Sequence, residues 1–331
     1  MIEFSDSLWI FALPDKERER LVRRRGRLDV TEPFIDGAVA KLGALGRGWP
    51  KRVRVRSRFV YQSQPAPEDA SDRSLPQRRH RPPAARVFSP RGIALRFYLI
   101  ALCAAQMRAR AGERPSNDLP LMAGGDETGW IDLIAAPVKA QRAGQFSASR
   151  SSKKQRQVIT ALQSLSNAEV QLVRLPNEEK NSGKYEAFQL CDEGGVRADG
   201  DVPDYLVPKT TDVTFDLPVG LFRNGWIHLL EDTELAFLMM VAHASPPLGT
   251  GKSVKIPSGC RLLHYGIGRD AYEAHKTLQL FGLLEVQADE NRHYDGKVKN
   301  YGEGVQARLH ALRLLPDGFD EPAAARIKKI I

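Results

Sequence analysis

A spacing of apolar residues that leads from a helix into a strand occurs twice in the chain. The first occurrence lies in residues 149–175 and the second in residues 266–286. In each, apolar residues separated by four and then three positions precede a strand: Val158, Leu162 and Leu165 before Val170, and Ala274, Leu278 and Phe281 before Leu283. An apolar stripe of this kind is typical of an amphipathic helix that packs on a core. We therefore predict two helices, each followed by a strand.

Both patterns belong to a longer series with the same order of elements. An apolar helix comes first, beginning at Ser89-Pro90 in one series and at Asp232 or Thr233 in the other. After the amphipathic helix and its strand, each series continues with a polar hairpin and a second strand, Tyr185 to Leu190 or Leu309 to Leu315. Helix, strand, hairpin and strand is the order of a winged helix-turn-helix, which usually places a helix in the major groove of DNA.

The predicted fold class is therefore α+β, with two tandem winged helix-turn-helix domains. The first is expected over residues 88–193 and the second over residues 211–320. A polar linker, 194–210, separates them, and residues 321–331 form a C-terminal tail. Residues 1–87 are expected to be a basic, partly disordered arm and linker, because Gln62 to Arg86 is rich in Pro, Gln, Ser and Arg and has little to bury.

Charge is unevenly distributed along the chain. The net charge is +9, and residues 1–87 hold 19 Lys/Arg against 11 Asp/Glu. A basic balance favours an anionic partner such as nucleic acid. The alternative interpretation is a soluble protein with a solvated basic tail.

Other functional classes receive little support. Cys103, Cys191 and Cys260 form no CxxC pair, which suits a reducing cytoplasm and predicts no metal site. There is no complete P-loop, dinucleotide-binding motif, HExxH or GxSxG, so we expect no cofactor, no catalytic residues and no enzyme. No segment approaches the ~20 apolar residues of a membrane span, so no membrane partner is expected.

The first amphipathic helix is the more basic of the two. Arg150, Lys153, Lys154 and Arg156 fall within its first two turns, where positive charge opposes the helix dipole. A sequence that tolerates this cost suggests a phosphate partner. Lys180 and Lys184 are the candidate cations of its hairpin, or wing.

The second helix is predicted over Arg269 to Phe281 and has a mixed-charge outer face. Arg269 is placed to pair with guanine, Glu273 to accept from a cytosine amino group, and Lys276 to contact phosphate. Thr277 is expected on the same face, and the wing cations are Arg292, Lys297 and Lys299. The alternatives are an ordinary amphipathic surface helix and a solvated hairpin.

The second unit resembles the winged-helix domains of bacterial DNA-binding proteins. The resemblance lies in Gly266-Ile267-Gly268-Arg269, His275, Leu278 and the run Phe281-Gly282-Leu283-Leu284. The tandem layout over residues 88–320 is similar to plasmid replication initiators, and the Arg- and Ala-rich composition suggests an actinobacterial genome.

This resemblance implies a sequence-specific protein that binds double-stranded DNA and initiates replication of a plasmid or mobile element. A homodimer and the replication or transcription machinery are further candidate partners. The expected location is the bacterial cytoplasm, on the nucleoid or a plasmid. A transcriptional regulator of the same architecture and a winged-helix protein-interaction adaptor remain the alternatives.

Overall fold

The fold is available as a computed structural model. It describes residues 15–65, 74–88, 92–125, 127–135, 149–197, 200–245, 251–291, 293, 298–304 and 308–331. The helices in these ranges are α1 (Asp15–Thr31), α2 (Ile35–Gly43), α3 (Pro83–Arg86), α4 (Ala94–Arg108), α5 (Arg150–Ser166), α6 (Gly220–Arg223), α7 (Trp226–Leu229), α8 (Asp232–Ala244), α9 (Ser258–Leu263), α10 (Arg269–Tyr272), α11 (Ala274–Leu280) and α12 (Ala323–Ile330). The strands are β1 (Arg52–Arg56), β2 (Val173–Arg174), β3 (Gln189–Leu190), β4 (Thr214–Pro218), β5 (Leu284–Gln287) and β6 (Ala311–Leu314).

The described strands form small antiparallel pairs, which confirms the α+β class. β2 pairs with β3 shortly after α5, and β5 pairs with β6 shortly after α11. Both predicted series therefore contain a helix followed by an antiparallel strand pair. The third pair, β1 with β4, joins the N-terminal region to the second unit.

Two apolar helices lie at the centre of the molecule. Nearly all of α4 is buried, and so is most of α8. One continuous hydrophobic core includes both of them and extends over both predicted units. The first apolar helix predicted from the sequence corresponds to α4, which begins at Ala94, and its predicted start at Ser89-Pro90 lies outside the described residues.

Helix α5 begins and packs as its sequence predicts. Ser149 is the N-cap, and its hydroxyl accepts a hydrogen bond from the backbone N–H of Ser152 at 3.1 Å. Val158, Leu162 and Leu165 are buried, so the predicted stripe faces the core.

The N-terminal region differs from the prediction of a partly disordered arm. Leu28 of α1 and Leu42 of α2 are buried in the main core. In β1, Val53 lies opposite Leu217 and Val55 opposite Phe215, so the alternating sequence Arg-Val-Arg-Val-Arg forms a strand whose valines face inwards. Residues 15–65 are thus an integral part of the folded core.

Ion pairs explain how such a basic segment is incorporated. The guanidinium of Arg56 lies 2.6 Å from Glu193 and 2.8 Å from Asp212. Arg24 is buried against Glu234, a carboxylate with no solvent exposure. Burial alone would lower the pKa of Arg24, but attraction by Glu234 and Glu231 raises it. Much of the N-terminal positive charge therefore neutralises acids elsewhere in the chain.

Two further predictions are corrected. The predicted helix Arg269 to Phe281 is divided into α10 and α11, with Glu273 in the turn between them. The predicted C-terminal tail contains α12, whose Ala323 and Ile327 are buried. An apolar residue every fourth position packs this helix on the core.

Candidate nucleic-acid interface

A cleft of about 1250 Å³ lies between the two predicted DNA-reading helices. One wall is α5, which contributes Arg156, Gln157 and Thr160, and the opposite wall is the turn from Gly266 into α10. The segment 75–88 forms the remaining lining together with Gly92 to Ala94. We name this feature the arginine cleft, after its five arginines: Arg78, Arg81, Arg86, Arg156 and Arg269.

The packing of Gly266 fixes the segment 75–88 against the second unit. Gly266 has a φ of +65°, which favours glycine, and a side chain there would meet the Cβ atoms of Ala85 at 3.0 Å and Arg81 at 3.1 Å. The turn at Gly266 and the side chains of Ala85 and Arg81 can approach this closely because residue 266 has no side chain.

Backbone carbonyls hold three of the arginines in place. The Nε atom of Arg78 donates to the carbonyl of Arg86 at 2.8 Å, and that of Arg81 donates to Pro76 at 2.8 Å. Arg86 donates through Nε to Arg81 at 2.6 Å and through Nη1 to the carbonyl of Glu169 at 2.6 Å. These bonds orient the guanidiniums without neutralising their charge.

The cleft is strongly electropositive. None of its five arginines lies at ion-pair distance from a carboxylate of the described residues. Burial lowers the pKa of Arg81, and repulsion by Arg78 adds to the effect. Burial also lowers the pKa of Arg86, and the attraction of Glu169 offsets only part of this effect. Asp270 is the sole acid of the lining, so the described side chains leave a net positive charge that favours an anion.

The other predicted cations of α5 are less available for phosphate contact. The guanidinium of Arg150 lies over the ring of Phe34, 4.0 Å from its centroid. Lys154 is half-buried and donates to the carbonyl of Ile131 at 3.4 Å, and burial lowers its pKa. Lys153 is half-buried, whereas Arg156 is exposed.

In the second unit, Arg269 is exposed, whereas Glu273 and Lys276 form an ion pair with each other. Lys276 lies 2.7 Å from Glu273 and 3.3 Å from Glu17 of α1. Burial lowers the pKa of Lys276, but its hydrogen bond to Glu273 and the attraction of Glu17 raise it overall. Thr277 is buried, which corrects its expected position on the outer face.

The wing residues show no common basic surface in the described residues. Lys180 is exposed, and Lys184 lies 3.7 Å from Glu178. Lys299 is exposed beside a turn in which its backbone N–H donates to Asn291 at 2.8 Å. Arg292 and Lys297 lie outside the described residues.

The structure adds three residues that sequence reasoning assigned to a linker, Arg78, Arg81 and Arg86. The dense basic run around Arg78 was the available signal, but its proline-rich surroundings indicated an unstructured segment. Of the thirteen predicted DNA-binding residues, the arginine cleft brings together Arg156 and Arg269.

Other site types find no support in the part of the chain described. It contains no group of three His, Cys, Asp or Glu side chains placed to hold a metal ion. None of its helices has both the length and the apolar character needed to cross a membrane. Comparison of the chain with family models, curated proteins and solved structures gives no match.

Proposed function

We propose that this protein binds double-stranded DNA and that the rim of the arginine cleft contacts the phosphate backbone. The observation that carries the proposal is the convergence of Arg156 and Arg269, one from each predicted reading helix, on the mouth of one electropositive cleft. Both side chains are exposed, and neither has an acidic partner among the described residues. An exposed guanidinium without an acidic partner can donate hydrogen bonds to phosphate oxygens.

The proposed biological role is initiation of plasmid or mobile-element replication. It is supported by the order of helix and strand pair in both units, which is the order expected of tandem winged-helix initiators. The same features support a transcriptional regulator of this architecture equally well. A test of the role must therefore be separate from a test of DNA binding.

The salt dependence of DNA affinity tests the binding proposal. Each phosphate contact contributes about −0.9 to the slope of log K against log salt concentration on a double helix. Arg156→Ala and Arg269→Ala should each make the slope less negative by about this amount. Fluorescence anisotropy with a labelled duplex from the DNA adjacent to the gene would measure it.

Lys276→Ala is the matched control. It also removes one positive charge from a predicted reading helix, but that ammonium is already paired with Glu17 and Glu273. We expect its slope to match that of the unchanged protein. Equal effects of all three substitutions, or no effect of the two arginine substitutions, would contradict the assignment of the cleft rim.

The initiator role is tested in cells. The gene with its adjacent DNA is placed on a plasmid that lacks an origin, and we expect the plasmid to be maintained. Arg156→Ala combined with Arg269→Ala should abolish maintenance. DNA binding in vitro without plasmid maintenance would leave the regulator, and the absence of DNA binding would leave the protein-interaction adaptor.

A further inference from the structure

The inner part of the arginine cleft differs from its rim in accessibility. Arg81 and Arg86 are half-buried, whereas Arg78, Arg156 and Arg269 are exposed. A cube of 1250 Å³ has an edge of roughly 11 Å, slightly less than the ~12 Å width of a single DNA major groove. Because a duplex is wider than its own major groove, a double helix can contact the exposed rim but does not fit inside the cleft with its half-buried arginines.

The volume is instead more than sufficient for a small organic ligand. Pockets for organic ligands and cofactors typically measure about 300–1000 Å³. A cleft of about 1250 Å³ thus has room for a ligand the size of a nucleotide together with some water.

The charge of the lining defines one part of such a ligand. Five arginines and one aspartate, Asp270, give the lining a net charge of +4. A terminal phosphate group carries about −1.5 to −2 at pH 7, and further phosphates in a chain add to this. A di- or triphosphate would therefore neutralise most of the uncompensated charge, and guanidiniums bind its oxygens in a two-pronged geometry.

An unsatisfied polar atom on the α5 wall defines a second part. Gln157 lines the cleft, and its side-chain oxygen is buried and has no hydrogen-bond partner among the described residues. A buried acceptor without a donor is costly, so such atoms are uncommon in folded proteins. Because this oxygen is buried, the flexible Gln157 side chain must turn towards the cleft before an N–H or O–H group of a bound molecule can donate to it. A base or a sugar offers such a group, whereas a fully ionised polyphosphate does not.

We infer that the inner arginine cleft is a binding site for a nucleoside di- or triphosphate. Its phosphates contact Arg81 and Arg86, and its base or sugar donates a hydrogen bond to Gln157. The inference does not depend on the proposed DNA binding, because the inner arginines and Gln157 are not the residues assigned to DNA. A bound nucleotide would also reduce the positive charge at the mouth, so we expect saturating nucleotide to weaken DNA affinity.

Isothermal titration calorimetry of the full chain tests the inference. The ligands are ATP, GTP and pyrophosphate, and an ionic strength of about 0.15 M suppresses weak surface binding. We expect saturable binding of one nucleotide per chain. Arg81→Gln and Arg86→Gln should each weaken nucleotide binding at least about tenfold, equivalent to about 1.4 kcal/mol. Arg79→Gln is the matched control, because Arg79 is exposed next to these residues but does not line the cleft.

Gln157→Leu separates nucleotide recognition from simple charge attraction. It should weaken ATP or GTP binding several-fold and leave pyrophosphate binding unchanged. Arg81→Lys keeps the charge, so partial retention of affinity in this variant would show that Arg81→Gln does not act through misfolding. The thermal unfolding temperature of every variant provides a further check.

The possible failures are distinguishable. The absence of saturable nucleotide binding, or an equal loss in Arg79→Gln, would overturn the inference. Equal loss of ATP and pyrophosphate in Gln157→Leu would overturn the nucleoside assignment. Neither result bears on DNA binding, which is measured with Arg156→Ala and Arg269→Ala in the absence of nucleotide.

Discussion

Removing the buried cation of α1 should destabilise the whole protein. Arg24 is 5% exposed and pairs with Glu234, which is 0% exposed. Its guanidinium also donates to the carbonyl of Leu229 at 3.2 Å and lies 5.1 Å from the centroid of the Phe281 ring. Arg24→Ala would leave a buried carboxylate without its principal partner. We therefore expect a large decrease in the free energy of unfolding.

The size of the effect follows from what remains around Glu234. Removing one partner of a buried ion pair typically costs about 3–5 kcal/mol. Arg20 lies 3.3 Å from the same carboxylate, and the backbone N–H of Glu231 still donates to its other oxygen at 2.8 Å. These contacts still stabilise the Glu234 carboxylate in part. We therefore expect the free energy of unfolding to fall by about 3 kcal/mol, at the lower end of the range.

Urea denaturation followed by circular dichroism would measure this loss. Arg23→Ala is the matched control, because Arg23 is 65% exposed and its one ion pair with the described residues is with Glu19, 70% exposed, one turn away. Such a pair contributes at most about 0.5 kcal/mol. Adding Glu234→Gln to Arg24→Ala should recover part of the stability, because the buried charge is gone while an acceptor for the Glu231 N–H remains. Equal stability of Arg24→Ala and Arg23→Ala would refute the packing of α1 on the core.

Two further predictions concern pH and backbone conformation. Burial lowers the pKa of His228 to about 3, with repulsion by Arg96 and Lys154 adding to it, so the unfolded chain binds the proton first. The stability that this residue contributes is complete above pH ~6.5 and should fall by about 2 kcal/mol by pH 5. His228→Asn should remove this part of the pH dependence, which urea titrations at pH 7 and pH 5 would measure. An unchanged pH dependence in the variant would contradict the burial of His228. Gly266→Ala should lower the free energy of unfolding by about 1–2 kcal/mol because its φ is positive and its surroundings are tight, whereas Gly259→Ala, with nothing within 4 Å, should be neutral or stabilising. Similar values for the two glycine variants in urea titrations would count against the close approach at Gly266.

Elements with strong local signals could be predicted from the sequence. Helix α5 combines an N-cap serine with a regular apolar stripe, so both its start and its buried face follow from adjacent residues. The near-continuous apolar sequence of α4 likewise indicated a core helix. In each case, the information lies within about twenty residues of chain.

The N-terminal region could not be predicted in this way. Its apolar residues are sparse, and its composition is typical of a disordered segment. What makes it fold is pairing over long distances: Arg24 contacts Glu234, and Arg56 contacts Glu193. No local pattern identifies which of many acids will be the partner of a given arginine.

The same long-range pairing changes what the charge distribution means. Counted by segment, the positive charge lies before residue 88, which suggested an arm that binds nucleic acid. In the fold, several of those cations neutralise acids of the second unit, whereas Arg78, Arg81 and Arg86 lie at ion-pair distance from no carboxylate of the described residues. The electropositive site therefore arises where a supposed linker meets the walls from both units. One hydrophobic core extends over both units, and Gly266 packs closely against that supposed linker, so the cleft walls have a fixed relative position. If each wall contributes a phosphate contact, the two units must engage one continuous stretch of DNA and not two independently spaced sites.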